Sequence, residues 1–407
     1  MQQQLRIVVH DYSGHPGQLD LSRALAAEGH VVVHQHCPAY VSGKGEVERR
    51  AGDPDTFSTT AVSMNAPFRR YSPLGRFRQE VVYGVHAGKA ILSANPDIAI
   101  LSNIPLLAHA ITMVMLRARG VPTIFWHQDV YSAGIGNAAR RRLPIIGRAV
   151  GWIAELIEAR VARSSRAVIP ISIRFVPKLE AWGVPTDRIT VIGNWGPVED
   201  IERGDKRNLW SEQYGLGDRP VVLYSGTLGL KHDPRMLSEL ADRLAKSMPD
   251  ARIVIISEGS GRHWLESWKT SSNNLNMLLL DYQEYRDMSN VLASADVLVA
   301  VLEPDASEYS VPSKVLTYMC AGRPVIAAMP ISNPAALTIT GAGAGFVVDS
   351  SDSVGFADAV VDLLGDPTAR EMMGRSARNF AEMNFSSSAV VGQFISVIEK
   401  VLMIEGS

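Results

Sequence analysis

The sequence has two cysteines, Cys37 and Cys320, far apart in the chain. Two thiols so placed do not make a disulfide scaffold, and they suit a reducing compartment. No Cys/His cluster at metal-ligand spacing occurs. Long apolar runs are lacking too: no stretch approaches the ~20 residues that cross a bilayer. The longest candidates, around 98–114 and 145–161, are broken by polar and charged residues. The amino terminus, MQQQLRIVVHDYS, has an apolar run too short for a signal peptide. A soluble or membrane-surface protein is expected, read as cytoplasmic. There is no excess of one charge either. Lys+Arg number 40 and Asp+Glu 42, a net charge of -2, which argues against a nucleic-acid binder.

What is present is an ordinary globular balance, 46% hydrophobic and 20% charged over 407 residues, enough for two α/β domains. The charge is divided unevenly. Residues 1–200 hold 22 Lys+Arg against 16 Asp+Glu, and residues 201–407 hold 18 against 26. A basic half joined to an acidic half suggests different partners for two domains.

Short apolar runs alternate with helical periodicity throughout. Strands are predicted at 6–10, 31–34, 98–101, 122–126, 167–171 and 189–192, then at 221–225, 253–256, 277–280, 297–301 and 325–328. Strand, helix, strand at this pitch predicts parallel sheets covered by helices. The segment 196–218 is rich in Gly, Pro and charge and reads as an interdomain linker. The expected layout is an N-terminal domain over 1–195, that linker, and a C-terminal domain over 219–385. A last helix over 386–407 would return to the N-terminal domain. Two such domains facing one another would bind ligands at their strand carboxyl ends.

Three loops carry candidate chemistry. In DYSGHPGQ, Gly14 and Gly17 allow close backbone approach ahead of a helix N-terminus. The spacing is not G-x-G-x-x-G, which argues against a nicotinamide cofactor. In SGTLGLKHD, Gly226 and Thr227 end a strand and Lys231 stands just before a helix, where its ammonium can hold a diphosphate. In PSKVLTYMCAGRPV, the helix start at Ser313 and Lys314 offers a second anion grip. Two grips in one half suggest a nucleotide diphosphate. Asp53-Pro-Asp55 has a bare D-x-D spelling in a polar loop, and no metal site is read from it. The G-x-S-x-G elbow of a Ser-His-Asp hydrolase is missing.

The blocks GHPGQLDLSRALAAEGHVV, ISIRFVPKLEAWGVPTDRITVIGNWG, SGTLGLKHD and PSKVLTYMCAGRPVIA resemble, in order, those of retaining glycosyltransferases of family 4, closest to the exopolysaccharide and colanic-acid branch. The resemblance implies the GT-B fold, two Rossmann-like domains across a cleft. It implies a nucleotide diphosphate sugar as donor, with no metal required, and a saccharide acceptor, often lipid-linked. It places Glu258, Gly259 and Gly261 in a loop beneath the sugar nucleotide. It places His127 and Asp129, after a predicted strand, at the acceptor side as catalytic candidates beside Lys231. The family's ribose-holding glutamate is replaced by Thr317, with Tyr309 eight positions earlier. A sugar-nucleotide epimerase and a catalytically silent partner in a polysaccharide assembly complex stay open as alternatives.

Two stretches mix arginines with apolar residues. Arg69, Arg70, Arg76 and Arg78 interleave with Phe68, Tyr71, Leu74 and Phe77. Arg140, Arg141, Arg142 and Arg148 flank Leu143, Ile145 and Ile146. They read as a peripheral contact with an anionic membrane.

Overall fold

The structure is a computed structural model and describes residues 3–39, 47–64, 73–142, 144–229, 232–303 and 312–405. It forms two compact units. One comprises 1–194 together with 387–407, and the other 195–386.

The first unit is built on six parallel strands: β1 (Arg6–Asp11), β2 (Val31–His36), β3 (Phe57–Ala61), β4 (Ile98–Ser102), β5 (Thr123–His127) and β6 (Ala167–Pro170). Their order is β3-β2-β1-β4-β5-β6. The second unit repeats the plan with β7 (Val221–Ser225), β8 (Arg252–Ile256), β9 (Met277–Leu280), β10 (Val297–Val301), β11 (Val325–Ala328) and β12 (Gly345–Val348), ordered β12-β11-β10-β7-β8-β9. Each is a doubly wound sheet. The strand order reverses between β1 and β4 and between β7 and β10, and ligands bind beside such reversals. The central strands are buried on both faces, hence their unbroken Val, Ile and Leu runs.

Three differences from the sequence reading have physical reasons. Residues 189–192 form no strand; Ile189 makes only an isolated bridge to Val168. β3 and β12 were not expected. Both are edge strands largely open to solvent: β3, FSTTA, shows no apolar run, and the run of β12, Phe346-Val347-Val348, is only three residues long. The segment 196–218 is not a free linker: Val198, Ile201, Trp210 and Leu216 are buried in the core of the second unit. Glycines, prolines and charges surround these four side chains and hide them in composition.

Both cysteines are free and buried. The last helix, Ser387–Glu405, belongs to the first unit. Its Phe394 meets the Trp126 ring edge-on at 4.8 Å. The helical stretch Pro367–Met403 is long and apolar enough by composition to cross a membrane. Val390, Val391, Phe394, Val397, Ile398 and Val401 are buried in the protein, so packing accounts for its apolar face.

Candidate functional site

In the second unit, three backbone segments converge beyond the carboxyl ends of β7 and β8. β7 runs into Gly226, whose φ of 135° is left-handed territory. The Gly226 N–H donates to the Ile256 carbonyl at 2.9 Å, and Leu228 N–H to the Glu258 carbonyl at 3.0 Å. Gly259, with φ 104° and ψ -178°, starts the helix Ser260–Ser272. A Cβ on Gly259 would lie 2.8 Å from the Leu228 oxygen, and one on Gly261 2.9 Å from Leu228 Cβ. The Gly261 N–H donates to that same Leu228 oxygen at 2.9 Å. The glycines of this loop therefore let two chain segments touch. Glu258 and Thr227 are exposed, and Thr227 pairs its hydroxyl with Tyr282 at 2.6 Å.

The third segment is the start of the helix Ser313–Cys320. Lys314 and Tyr318, one turn apart, face β7 together. The Tyr318 hydroxyl accepts from Ser225 N–H at 2.8 Å and donates to the Ser225 carbonyl at 2.9 Å. Lys314 bonds the Tyr224 hydroxyl and lies over its ring, 3.9 Å from the centroid. Its Nζ stands 3.0 Å from where a Gly226 Cβ would be. Burial lowers the Lys314 ammonium to about 7. No carboxylate pairs with it among the described residues. The result is a lysine amine held at the β7–β10 reversal that is about half protonated near pH 7. Ser313 is exposed at the helix start. Thr317 donates its hydroxyl to the Ser313 carbonyl at 3.4 Å. Lys231 and Tyr309 lie outside the described residues.

The sequence reading missed Tyr224, Tyr282 and Tyr318. The i, i+4 spacing of Lys314 and Tyr318 was a signal for one of them.

In the first unit, β1 ends in Asp11, fully buried, with burial pushing its carboxyl up. It nonetheless accepts from Asn103 Nδ2 at 2.8 Å, from the Ser13 hydroxyl at 3.0 Å and from the His15 N–H. The carboxylate thus shapes the loop that carries Gly14 (φ 69°) and Gly17 ahead of the helix Pro16–Ala27. Asn103 itself sits at φ 54° at the end of β4.

His127 and Asp129, two residues apart, would share a face if the strand ran through both, but it does not. β5 ends at His127, which is buried, whereas Asp129 is exposed in the loop beyond. The partner of His127 is Glu158, from the helix Pro144–Ser164, at 3.3 Å. Glu158 also accepts from Tyr131 N–H at 2.9 Å and Ser132 N–H at 2.8 Å. It therefore caps the start of the helix Tyr131–Arg142. His127 is enclosed by Phe125, Phe175 and Trp182. Glu158→Gln should cost about 2 kcal/mol in urea unfolding, the scale of buried hydrogen bonds to a charged group. An unchanged midpoint would show that the carboxylate is not needed there. Among the described residues, no group of three His, Cys, Asp or Glu stands close enough to hold a metal ion.

Comparison with known proteins matches each half of the chain to a family. Residues 15–195 match the family described as "Glycosyl transferase 4-like domain", and residues 206–380 match "Glycosyl transferases group 1". Among curated relatives, the chain is 29% identical over 170 residues to the GDP-mannose-dependent monoacylated alpha-(1-6)-phosphatidylinositol monomannoside mannosyltransferase of Corynebacterium glutamicum, covering 41% of this chain and 44% of that one. It is 25% identical over 311 residues to the putative colanic acid biosynthesis glycosyl transferase WcaI of Escherichia coli strain K12, covering 74% of each. The chain spans about half the length of the first of these relatives. Among solved structures, sucrose-phosphate synthase from Thermosynechococcus elongatus aligns with a TM-score of 0.73 at 15% identity over the whole of both chains. Anabaena HepE in complex with UDP-glucose aligns with a TM-score of 0.69 at 15% identity, over 98% of this chain and 100% of that one. With a 4-like domain on its first half and a group 1 domain on its second, the chain belongs to the glycosyltransferases and has the GT-B fold.

Proposed function

We propose that the protein is a retaining glycosyltransferase that moves a sugar from a nucleotide diphosphate sugar to a lipid-linked saccharide. The pathway would be bacterial exopolysaccharide, capsule or lipopolysaccharide assembly, on the cytoplasmic face of the membrane. The observation that carries this reading is the Lys314 ammonium over Gly226 at the β7–β10 reversal. A diphosphate gains negative charge as the glycosidic bond breaks, and a preset cation opposes that charge without reorganisation. Lys231 is assigned the same task from its place in SGTLGLKHD. The Ser313 helix start would add backbone donors. This arrangement needs no metal to neutralise the leaving group. Gly259 and Gly261 would let the loop pass beneath the sugar nucleotide. Gly14 and Gly17 are assigned, with the loops of the second unit, to the sugar nucleotide, and His127 and Asp129 to the acceptor side.

Calorimetry with UDP, GDP, ADP and TDP tests the donor class. At least one should bind with measurable heat, and silence from all four would end the reading. Thr317 favours one alternative, a binding partner without turnover, because its hydroxyl bonds within its own helix. Release of nucleoside diphosphate from a sugar nucleotide, in the presence of a lipid-linked acceptor pool, separates the two. An epimerase would instead convert donor alone.

Membrane attachment is proposed through the basic, apolar helix Pro144–Ser164. Ile145 is 85% exposed, Trp152 63% and Ile146 59%, with Arg148 exposed among them. In the other basic stretch, Phe77 is 61% exposed between Arg76 and Arg78. Arg69, Arg70, Phe68 and Tyr71 lie outside the described residues, as do the side chains of Arg141, Arg142 and Leu74. The protein should float with anionic liposomes and be released by high salt, since exposed charges are screened over ~8 Å at physiological ionic strength. Equal flotation with neutral liposomes would remove the arginines from the account.

A further inference from the structure

The amino-terminal edge of the first sheet carries a cluster that the donor and acceptor assignments leave unused. It lies a strand's length, about 17 Å, from the carboxyl-end loops. Arg117, Arg163, Arg166 and Arg188 line one pocket of about 280 Å³, and no carboxylate is among its lining residues. Arg117 closes the helix Leu106–Ala118 and Arg163 the helix Pro144–Ser164. Each helix end carries about half a negative charge, against four full positive charges. Arg163 spends one N–H on the Trp182 carbonyl at 2.7 Å. Among the described residues, Arg117 and Arg188 have no ion-pair partner.

A second pocket of about 600 Å³ adjoins the first, sharing Met113, Arg117 and Ser164. It runs between the same two helices. Its lining is mainly apolar, with Val114 70% exposed and Ile157 and Val161 opposite. Two observations thus coincide: an apolar groove, and at its end a pocket of arginines. Val114 stands open in a groove whose own charged residues are Arg117 and Arg160, both basic. A molecule with a phosphate at one end and a hydrocarbon chain behind it would satisfy both.

We propose that this groove is a binding site for a membrane phospholipid with an anionic headgroup. The phosphate sits among Arg117, Arg163, Arg166 and Arg188, and one chain lies along Val114 and Ile157. The occupant comes from the membrane, because the helix that forms one groove wall also exposes Ile153 and Leu156, at 50% and 46%. The site extends the membrane contact proposed above and rests on it. It adds recognition of one lipid molecule to a surface that would otherwise sense only charge density.

The test uses the full chain with phosphatidylcholine vesicles, with or without phosphatidic acid carrying a photoreactive acyl chain. Each arginine near a headgroup is worth about fivefold in binding. Arg117→Gln/Arg188→Gln should therefore weaken binding to the doped vesicles about 25-fold, with unfolding unchanged. Cross-links should map to the 106–118 and 144–164 helices and be lost in Val114→Asp. The proposal is overturned if the double variant binds like wild type, or if inorganic phosphate displaces the lipid at equal concentration. It is also overturned if wild type floats, loses flotation in Arg140→Gln/Arg148→Gln, and cross-links nowhere on the 106–118 helix. That last result would leave the peripheral membrane contact standing.

Discussion

Lys314→Ala is expected to lower kcat/KM for the sugar nucleotide about a hundredfold, the scale of losing one preorganised charge-stabilising group. Helix-start amides at Ser313 would spread the charge and leave Lys314 a milder share. The structure argues for more. The ammonium is fixed by the Tyr224 hydroxyl and ring and is poised over Gly226. Lys231→Ala is expected to lose on the same scale. Only an interaction that strengthens toward the transition state raises turnover, so kcat should fall together with kcat/KM. Unchanged kinetics in a folded Lys314→Ala protein would remove this lysine from the donor site.

The same lysine sets a pH dependence whose sign follows from burial. Its value in the fold is about 7, against 10.5 for an ordinary lysine. Between these values the unfolded chain binds the extra proton, so stability should rise as pH climbs from about 7 toward 10.5. Lys314→Met should remove that rise and stabilise the protein at neutral pH. Donor affinity should run the opposite way. A diphosphate favours the charged amine, so wild-type affinity should fall as pH rises through about 7, and the variant's should not. Binding at pH 8 should draw in a proton, read as a calorimetric enthalpy that changes with the buffer. Tyr224, which it contacts, and the nearby Tyr318 and Tyr282 are all raised by burial, so none of them titrates near pH 7. A buffer-independent enthalpy would overturn the assignment.

Gly259→Ala is the second large effect. At φ 104° and ψ -178° only glycine is comfortable, and the misfit costs about 1–3 kcal/mol. The new Cβ would also press the Leu228 oxygen, 2.8 Å away. That oxygen holds the Gly261 N–H, so it cannot retreat without losing a hydrogen bond. The Thr227–Gly229 turn must move instead, carrying the Thr227–Tyr282 contact with it. Expected is a loss of about 3 kcal/mol in unfolding free energy and at least a tenfold drop in donor affinity. Gly341→Ala is the control, since a Cβ there meets nothing within 4 Å. If both variants behaved alike, the close approach at Gly259 would have no consequence.

The central strands were legible because both faces are buried, so each is an unbroken apolar run such as VVLY or VLVAV. Edge strands β3 and β12 were not, because most of their residues meet solvent and neither holds an apolar run longer than three residues. The close approach of the loops proposed for the donor was legible as well. Glycines at 226, 259 and 261 mark close approach by the absence of a side chain, and a lysine at a helix start marks an anion grip. Sequence alone thus determined the fold class and the alternation of strand and helix, and it marked the loops that are proposed to meet a diphosphate. Only the tertiary structure decided which groups those loops bring together. It set Lys314 against Tyr224, tied Tyr318 to Ser225, and gave His127 to Glu158 rather than Asp129. It also drew Val198, Ile201, Trp210 and Leu216 out of an apparent linker into a core. Periodicity reports which face of an element is buried. A partner thirty or ninety residues away in the chain depends on how the elements pack, and local pattern carries no record of that.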